Sequence, residues 1–342
     1  MISRTLPLVV CLLAACGKPV RQEFALSTDA PSRTQLVPLG DGALAANEGG
    51  RLMRLGPGGE TRWRLDLQRE LLAAPVVADQ TVVAATAGGE WVGLAPDTGD
   101  VLWLQPDGPR QRLPLVAEGQ RAFAQTTDGT VRAIHAPSGG TAWTVLPTGA
   151  DAVGRLGPVV CGQVLVVTRG AARLEALALE DGASRWSAAT GPLVGLTCDR
   201  GRVLVAEAAG TVRALSADAG ELHFERSLGA ALLGAPVAAD GWFWVQSDAR
   251  TLTGLREDGQ GALRTLPLPI EPGAPVAAAP GLLVVVDASR EGWVVGLELP
   301  SGNERFRHRV DSALRAPALL RGSEIWVQPR DGRVIGLRMR GR

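Results

Sequence analysis

The chain has 342 residues, 46% hydrophobic and 20% charged, with 43 Gly, 23 Pro and no Tyr. That composition excludes a disordered polyelectrolyte and a collagen-like repeat, and it is poor in long-helix character. The 35 Lys and Arg balance the 35 Asp and Glu, so no global attraction to nucleic acid follows, and no nucleic-acid partner is expected.

The N-terminus reads as an export signal. Met1 to Arg4 carries one positive charge, Thr5 to Ala15 is an apolar run interrupted by Pro7, and small residues precede Cys16. Such a run is too short to span a bilayer and has the form of a secretory leader over residues 1–15. Leu13-Ala14-Ala15-Cys16 resembles the lipobox of bacterial lipoproteins. That resemblance implies diacylglycerol on the Cys16 thiol and cleavage just before it, with two or three acyl chains as a firm anchor. Removing Arg4 and no acid leaves one excess negative charge on the mature chain. Gly17 after the Cys resembles the sorting pattern for the outer membrane, so a body facing the periplasm on a lipid tether (residues 16–21) is expected. No later stretch reaches about 18 uninterrupted apolar residues, so no transmembrane helix is expected.

The rest of the chain repeats. A phrase of apolar, any, small, Leu or Ile occurs eight times, ending at residues 55, 94, 134, 177, 215, 255, 297 and 337, in steps of 38 to 43. Only Leu52-Met53-Arg54-Leu55 breaks the pattern, with Arg54 in the small position. A period near 40 marks a repeat architecture.

Each phrase is followed by a Gly and usually, four residues on, by an aromatic: Gly59/Trp63, Gly99/Trp103, Gly139/Trp143, Gly182/Trp186, Gly220/Phe224 and Gly302/Phe306. Gly259/Leu263 keeps the spacing with an aliphatic residue. Gly supplies the positive φ of a hairpin turn, and the ring on the outgoing strand buries area against a neighbour. Two further short β-rich runs precede most phrases. The first is often opened by Pro (Pro75, Pro114, Pro158, Pro236, Pro275, Pro317), which need not donate to a ladder there. The second, such as Thr81 to Ala85, Val164 to Val167, Val203 to Val205 and Leu283 to Val286, reads as fully buried. Four short antiparallel strands per 40 residues make a β-propeller blade.

The ends of the chain fit a closed ring. The eighth unit has three strands, and an extra β-compatible segment, Gln22 to Ser27, precedes the first unit. Beside the last unit's third strand it would complete an eight-bladed propeller over residues 22–342 and remove an open edge.

Asp97-Thr98-Gly99-Asp100-Val101-Leu102-Trp103, following Trp91-Val92-Gly93-Leu94-Ala95, resembles the repeat of pyrroloquinoline-quinone (PQQ) enzymes, which ends A-L-x-x-x-T-G-x-x-x-W. The resemblance covers about residues 30 to 342. It implies that Trp63, Trp103, Trp143, Trp186, Phe224 and Phe306 lock neighbouring blades together. A quinoprotein dehydrogenase would further need PQQ over a Trp floor, Ca²⁺ with carboxylate and amide ligands, a catalytic Asp and, typically, adjacent cysteines. There are no adjacent cysteines here, and His135, His223 and His308 show no metal-binding spacing. No enzyme activity, catalytic residue, metal or cofactor is expected. Cys161 and Cys198 end the first strands of consecutive units, where they form either a disulfide, if their Cα atoms lie within about 7 Å, or two separate buried thiols.

A lipid-anchored propeller with such repeats and no cofactor constellation is similar to the BamB family of outer-membrane lipoproteins. The similarity implies a protein-binding scaffold for outer-membrane β-barrel assembly, with the barrel-forming BamA subunit and unfolded outer-membrane proteins as partners. Other envelope partners, or a quinoprotein dehydrogenase or small-ligand binder using the central channel, stay open at this point.

Overall fold

The structure, a computed structural model, describes residues 19–67, 69–106, 108–147 and 156–340. The leader and Cys16 lie outside the described residues. The described residues form thirty-two β-strands and no α-helix, arranged as eight four-stranded antiparallel sheets. Seven sheets are continuous in sequence, spanning residues 37–66, 76–105, 116–145, 159–189, 193–227, 237–267 and 277–309 as blades 1 to 7. Blade 8 takes three strands from residues 319–339 and its outer strand, Val20–Ser27, from the other end of the chain. The fold is therefore the eight-bladed propeller that the period implies, closed by strand exchange between the termini.

The closing ladder runs from Val20↔Met339 to Ser27↔Arg333. Its strand starts two residues before the expected Gln22, because Val20 is buried in a cluster with Phe306, Ile335 and Met339. Burial of that side chain extends the ladder to the edge of the tether.

Within a blade, the second and third strands are the core. Thr81–Ala85 is buried at every position, as is Leu282–Val286, because both faces of these strands pack against neighbouring blades. Continuous apolar runs follow from that two-sided burial. The inner strands are mostly three residues long; the longest, Leu193–Asp199, belongs to blade 5. The prolines expected to open them lie one or two residues earlier: Pro75 precedes Val76–Ala78, and Pro114 stands two before Val116–Glu118. Lacking an N–H and restricting the residue before it, Pro ends the incoming connector rather than starting the ladder.

In seven blades the outer strand carries one extra residue just before its aromatic. Gly93 pairs with Trp103 while Leu94 pairs with Val101, leaving Leu102 unpaired, and the same step recurs before Trp63, Trp143, Trp186, Phe224, Phe306 and, on the closing strand of blade 8, Phe24. A bulge twists the strand and re-aims the following side chain, here toward the next blade. Blade 6 lacks this step: Gly254 pairs with Arg264, whose guanidinium stacks over the Trp242 ring at 4.4 Å. The apolar contact to the next blade passes from the expected Leu263 to Leu266, which packs against the turn at Gly302.

Candidate protein-binding surface

The docking residues set the geometry on which any surface site rests. Trp63, Trp103, Trp143 and Trp186 lie against the hairpin glycines Gly99, Gly139, Gly182 and Gly220 of the following blade. The four indole N–H groups donate to the carbonyls of Pro96, Ala136, Leu179 and Ala217, each three residues before that glycine. A buried ring thus fills an interblade gap while its polar edge finds a partner. Phe224 meets Gly259 by ring contact. Phe306 is buried against Ile335, Leu337 and the closing strand. Phe24, on the closing strand, packs on Gly59 and is the docking residue that the repeat count passes over, since it precedes the first repeat.

Arg54, the odd residue at a small position, reaches blade 2: its Nη1 donates to the Pro96 carbonyl at 2.7 Å and pairs with Asp97. The histidines do not meet. His135 bonds Ser138 at a turn, and His223 and His308 lie on different outer strands. Cys161 and Cys198 are joined as a disulfide between the inner strands of blades 4 and 5, with Cα atoms 5.5 Å apart.

The middle positions of the inner strands, matched by register, are Pro38, Val77, Ala117, Val160, Cys198, Ala238, Ala278 and Leu320, none of them charged. Among the described residues no three His, Cys, Asp or Glu side chains gather as a metal site. A cavity of about 400 Å³ among the inner strands and connectors of blades 1, 2, 3 and 8 is lined by Arg33, Gln35 and Arg315 and by no carboxylate, which does not fit the ligands that the Ca²⁺ of a PQQ site takes.

The outer rim is different. An outer strand leaves one row of N–H and C=O groups unpaired, and charged side chains are the usual guard against unwanted pairing. Six outer strands carry at least one charge; those of blades 2 and 3, Val101–Gln105 and Thr141–Val145, carry none. Val101, Leu102 and Leu104 are each about half exposed (51%, 50% and 51%), and Leu146 just after the blade 3 strand is 68% exposed. Between the outer strands of blades 1 and 2 lies a groove of about 480 Å³, floored by Leu65, Leu67, Val92, Val101 and Leu104 and rimmed by Asp66, Arg69 and Glu90. An uncharged open edge beside an apolar groove suits an added extended strand: the backbone supplies the ladder, and the groove receives alternate side chains. Repeat counting misses these leucines because they do not recur; the signal that finds them is the missing charge in the outer-strand segments of repeats 2 and 3.

Ring closure, interblade docking and the repeat phrase together define an eight-bladed β-propeller of the PQQ-repeat class. A sequence profile of the family described as outer membrane protein assembly factor BamB matches residues 27–127, 48–193 and 189–262. The chain belongs to this BamB family. It is 28% identical over 252 residues to the outer membrane protein assembly factor BamB of Yersinia pestis, covering 66% of this chain and 62% of that protein. It is 29% identical over 182 residues to the BamB of Shewanella oneidensis, covering 43% of this chain and 46% of the relative. The matched region thus spans less than two thirds of either relative's length. In structure the chain is similar to BamB from Moraxella catarrhalis, with a TM-score of 0.79 at 18% identity over 94% of this chain and 100% of that one. It also resembles a europium-containing methanol dehydrogenase, with a TM-score of 0.68 at 10% identity over 90% and 84% of the two chains. At such identities these two likenesses concern the fold.

Proposed function

We propose that this chain is a lipid-anchored, non-catalytic scaffold that binds extended segments of other envelope proteins during assembly of outer-membrane β-barrels. Cleavage before Cys16 and acylation of its thiol place the propeller on the periplasmic face of the outer membrane, with residues 1–15 as the leader. Its partners are a BamA-type assembly subunit and unfolded outer-membrane proteins. The observation that carries this reading is the uncharged outer edge of blade 2, with Val101, Leu102 and Leu104 exposed beside an apolar groove. Unfolded barrel strands alternate apolar and polar residues, which is the pattern such an edge and groove accept. Membership of the BamB family supports the same reading. Binding is reversible and makes no covalent bond.

The test is cross-linking in the native membrane through a photoreactive residue at Leu102, with Arg185 on the outer strand of blade 4 as the control position. Peptides of a barrel-assembly subunit or of nascent barrels captured at 102 and absent at 185 support the proposal. Capture of neither, with the protein correctly exported, sinks it. Mass spectrometry of the mature N-terminus, with Cys16→Ala as control, tests the anchor separately.

A further inference from the structure

We infer that a pocket between blades 6 and 7 receives one neutral, apolar side chain of an extended protein segment, and that the indole N–H of Trp244 holds a backbone carbonyl of that segment. The pocket is separate from the edge of blade 2, and its occupancy does not depend on what that edge binds.

The pocket follows from the irregular blade. In blades 2, 7 and 8 the third-strand glycines Gly93, Gly296 and Gly336 lie under the outer-strand rings of Trp103, Phe306 and Phe24. Gly254 of blade 6 pairs with Arg264 and has no such ring, and the benzo half of Trp244, from the second strand, lies over it instead.

This arrangement leaves the indole N–H without a protein partner. Trp63, Trp91, Trp103, Trp143, Trp186 and Trp293 each donate to an oxygen. Trp244 is 2% exposed, and its Nε1 has no acceptor among the described residues. A buried donor in that state costs free energy that an acceptor brought by a ligand recovers.

Trp244 is also a wall of a pocket of about 220 Å³. Gly254, on which the benzo half rests, is not a wall, so the side of the ring that faces the pocket is the pyrrole half carrying Nε1. The other walls come from the connectors 233–235 and 272–275, the inner-strand side of blade 6 and Val276; none is charged, and Gln246 is the one other polar side chain. An ionised group would lose its water there and gain no counter-charge, so the ligand is neutral. The volume is smaller than that of most small-molecule sites and suits a single branched or aromatic side chain. Gly234 and Gly273 allow a ligand backbone to approach closely. Leu233 is 53% exposed at the mouth and Pro275 is exposed as well, apolar surface that residues flanking the inserted side chain would cover.

The experiment follows the tryptophan indole N–H resonances of the full exported chain, labelled with ¹⁵N, during titration with capped peptides. Loss of one resonance in Trp244→Phe assigns it. Acetyl-Ala-Leu-Ala-amide is expected to move that resonance downfield and saturably. Acetyl-Ala-Gly-Ala-amide and acetyl-Ala-Glu-Ala-amide bind at least tenfold more weakly, since the first loses the burial of the leucine side chain and the second brings an unpaired charge. An added Cβ at Gly234 meets nothing within 4 Å, so Gly234→Leu fills the mouth without displacing protein and abolishes the shift. The other eight indole resonances of that variant, unmoved, report that the ring is intact. An unresponsive Trp244 resonance, equal responses to the leucine and glycine peptides, or a response that survives Gly234→Leu overturns the inference. So does binding of acetyl-leucine methylamide with exclusion of the longer peptide, which would make this a site for small molecules.

Discussion

The Trp63 ring occupies the space that a side chain on Gly99 would need: an ideal Cβ on that glycine falls 2.7 Å from Trp63 Cδ2. Gly99 also holds φ at +76°, which an L side chain adopts at a cost. Gly99→Ala therefore meets two penalties, and the expected loss is about 2–4 kcal/mol. Gly119, at φ +53° with open space around its Cβ position, meets only the first, so Gly119→Ala costs about 1 kcal/mol. Urea denaturation of the two variants checks the difference, and equal losses would show that the ring contact contributes nothing.

The indole hydrogen bonds can be separated from ring packing at Trp186, whose N–H donates to the Ala217 carbonyl at 2.7 Å. Trp186→Phe keeps most of the ring and removes the donor, lowering stability by about 1 kcal/mol; Trp186→Ala removes both and costs about 3 kcal/mol. Phe224, which docks on Gly259 by ring contact, is the natural precedent for the milder change.

The Cys161–Cys198 disulfide joins residues 37 apart in sequence and bridges blades 4 and 5. Its removal in the double variant Cys161→Ala with Cys198→Ala lowers unfolding free energy by about 3 kcal/mol, through the greater freedom of the unfolded chain. Reducing agent has the same effect on the wild type and none on the variant. The blades themselves stay formed, because Val164, Val166, Val203 and Val205 remain packed across that interface.

Acid weakens the fold in a defined window. The Thr126 hydroxyl and the Thr130 N–H donate to Asp128 and hold its carboxyl below the ordinary value. The Ser27 hydroxyl and the Arg51 guanidinium do the same for Asp29. A carboxylate with a lowered pKa in the folded state adds stability that is complete above the unfolded value of about 4 and is lost as pH falls through the folded value. The urea midpoint is therefore flat with respect to these groups from pH 8 to 5 and declines below about pH 4. Asp128→Asn flattens the acid decline and leaves the Asp29 contribution in place.

The period near 40, the glycine hairpins and the closing segment were legible because each is a local or countable property of the sequence. The docking residue of blade 6 was not, since counting four residues from Gly259 to Leu263 assumes the bulge of the other blades. Gly254 pairs with Arg264 instead, and the contact moves to Leu266. The positions of Cys161 and Cys198 on neighbouring inner strands were likewise readable, whereas their bond depends on an interblade distance that strand order leaves open. The edge of blades 2 and 3 is the hardest case. A repeat is read from what recurs, and Leu102 and Leu104 matter because they do not.

The strand exchange between the termini also decides how the fold bears force. Any pull transmitted through the residues before Val20 enters at the Val20↔Met339 rung, at one end of an antiparallel ladder. Load applied there peels hydrogen bonds singly instead of shearing them together, and Val20 in its cluster with Phe306 and Met339, then Phe24 on its seat at Gly59, are the contacts that resist. The seam that makes the ring continuous is thus its mechanical fuse: under tension it opens before any blade, and since the other seven sheets are each continuous in sequence, it can close again without their rearrangement.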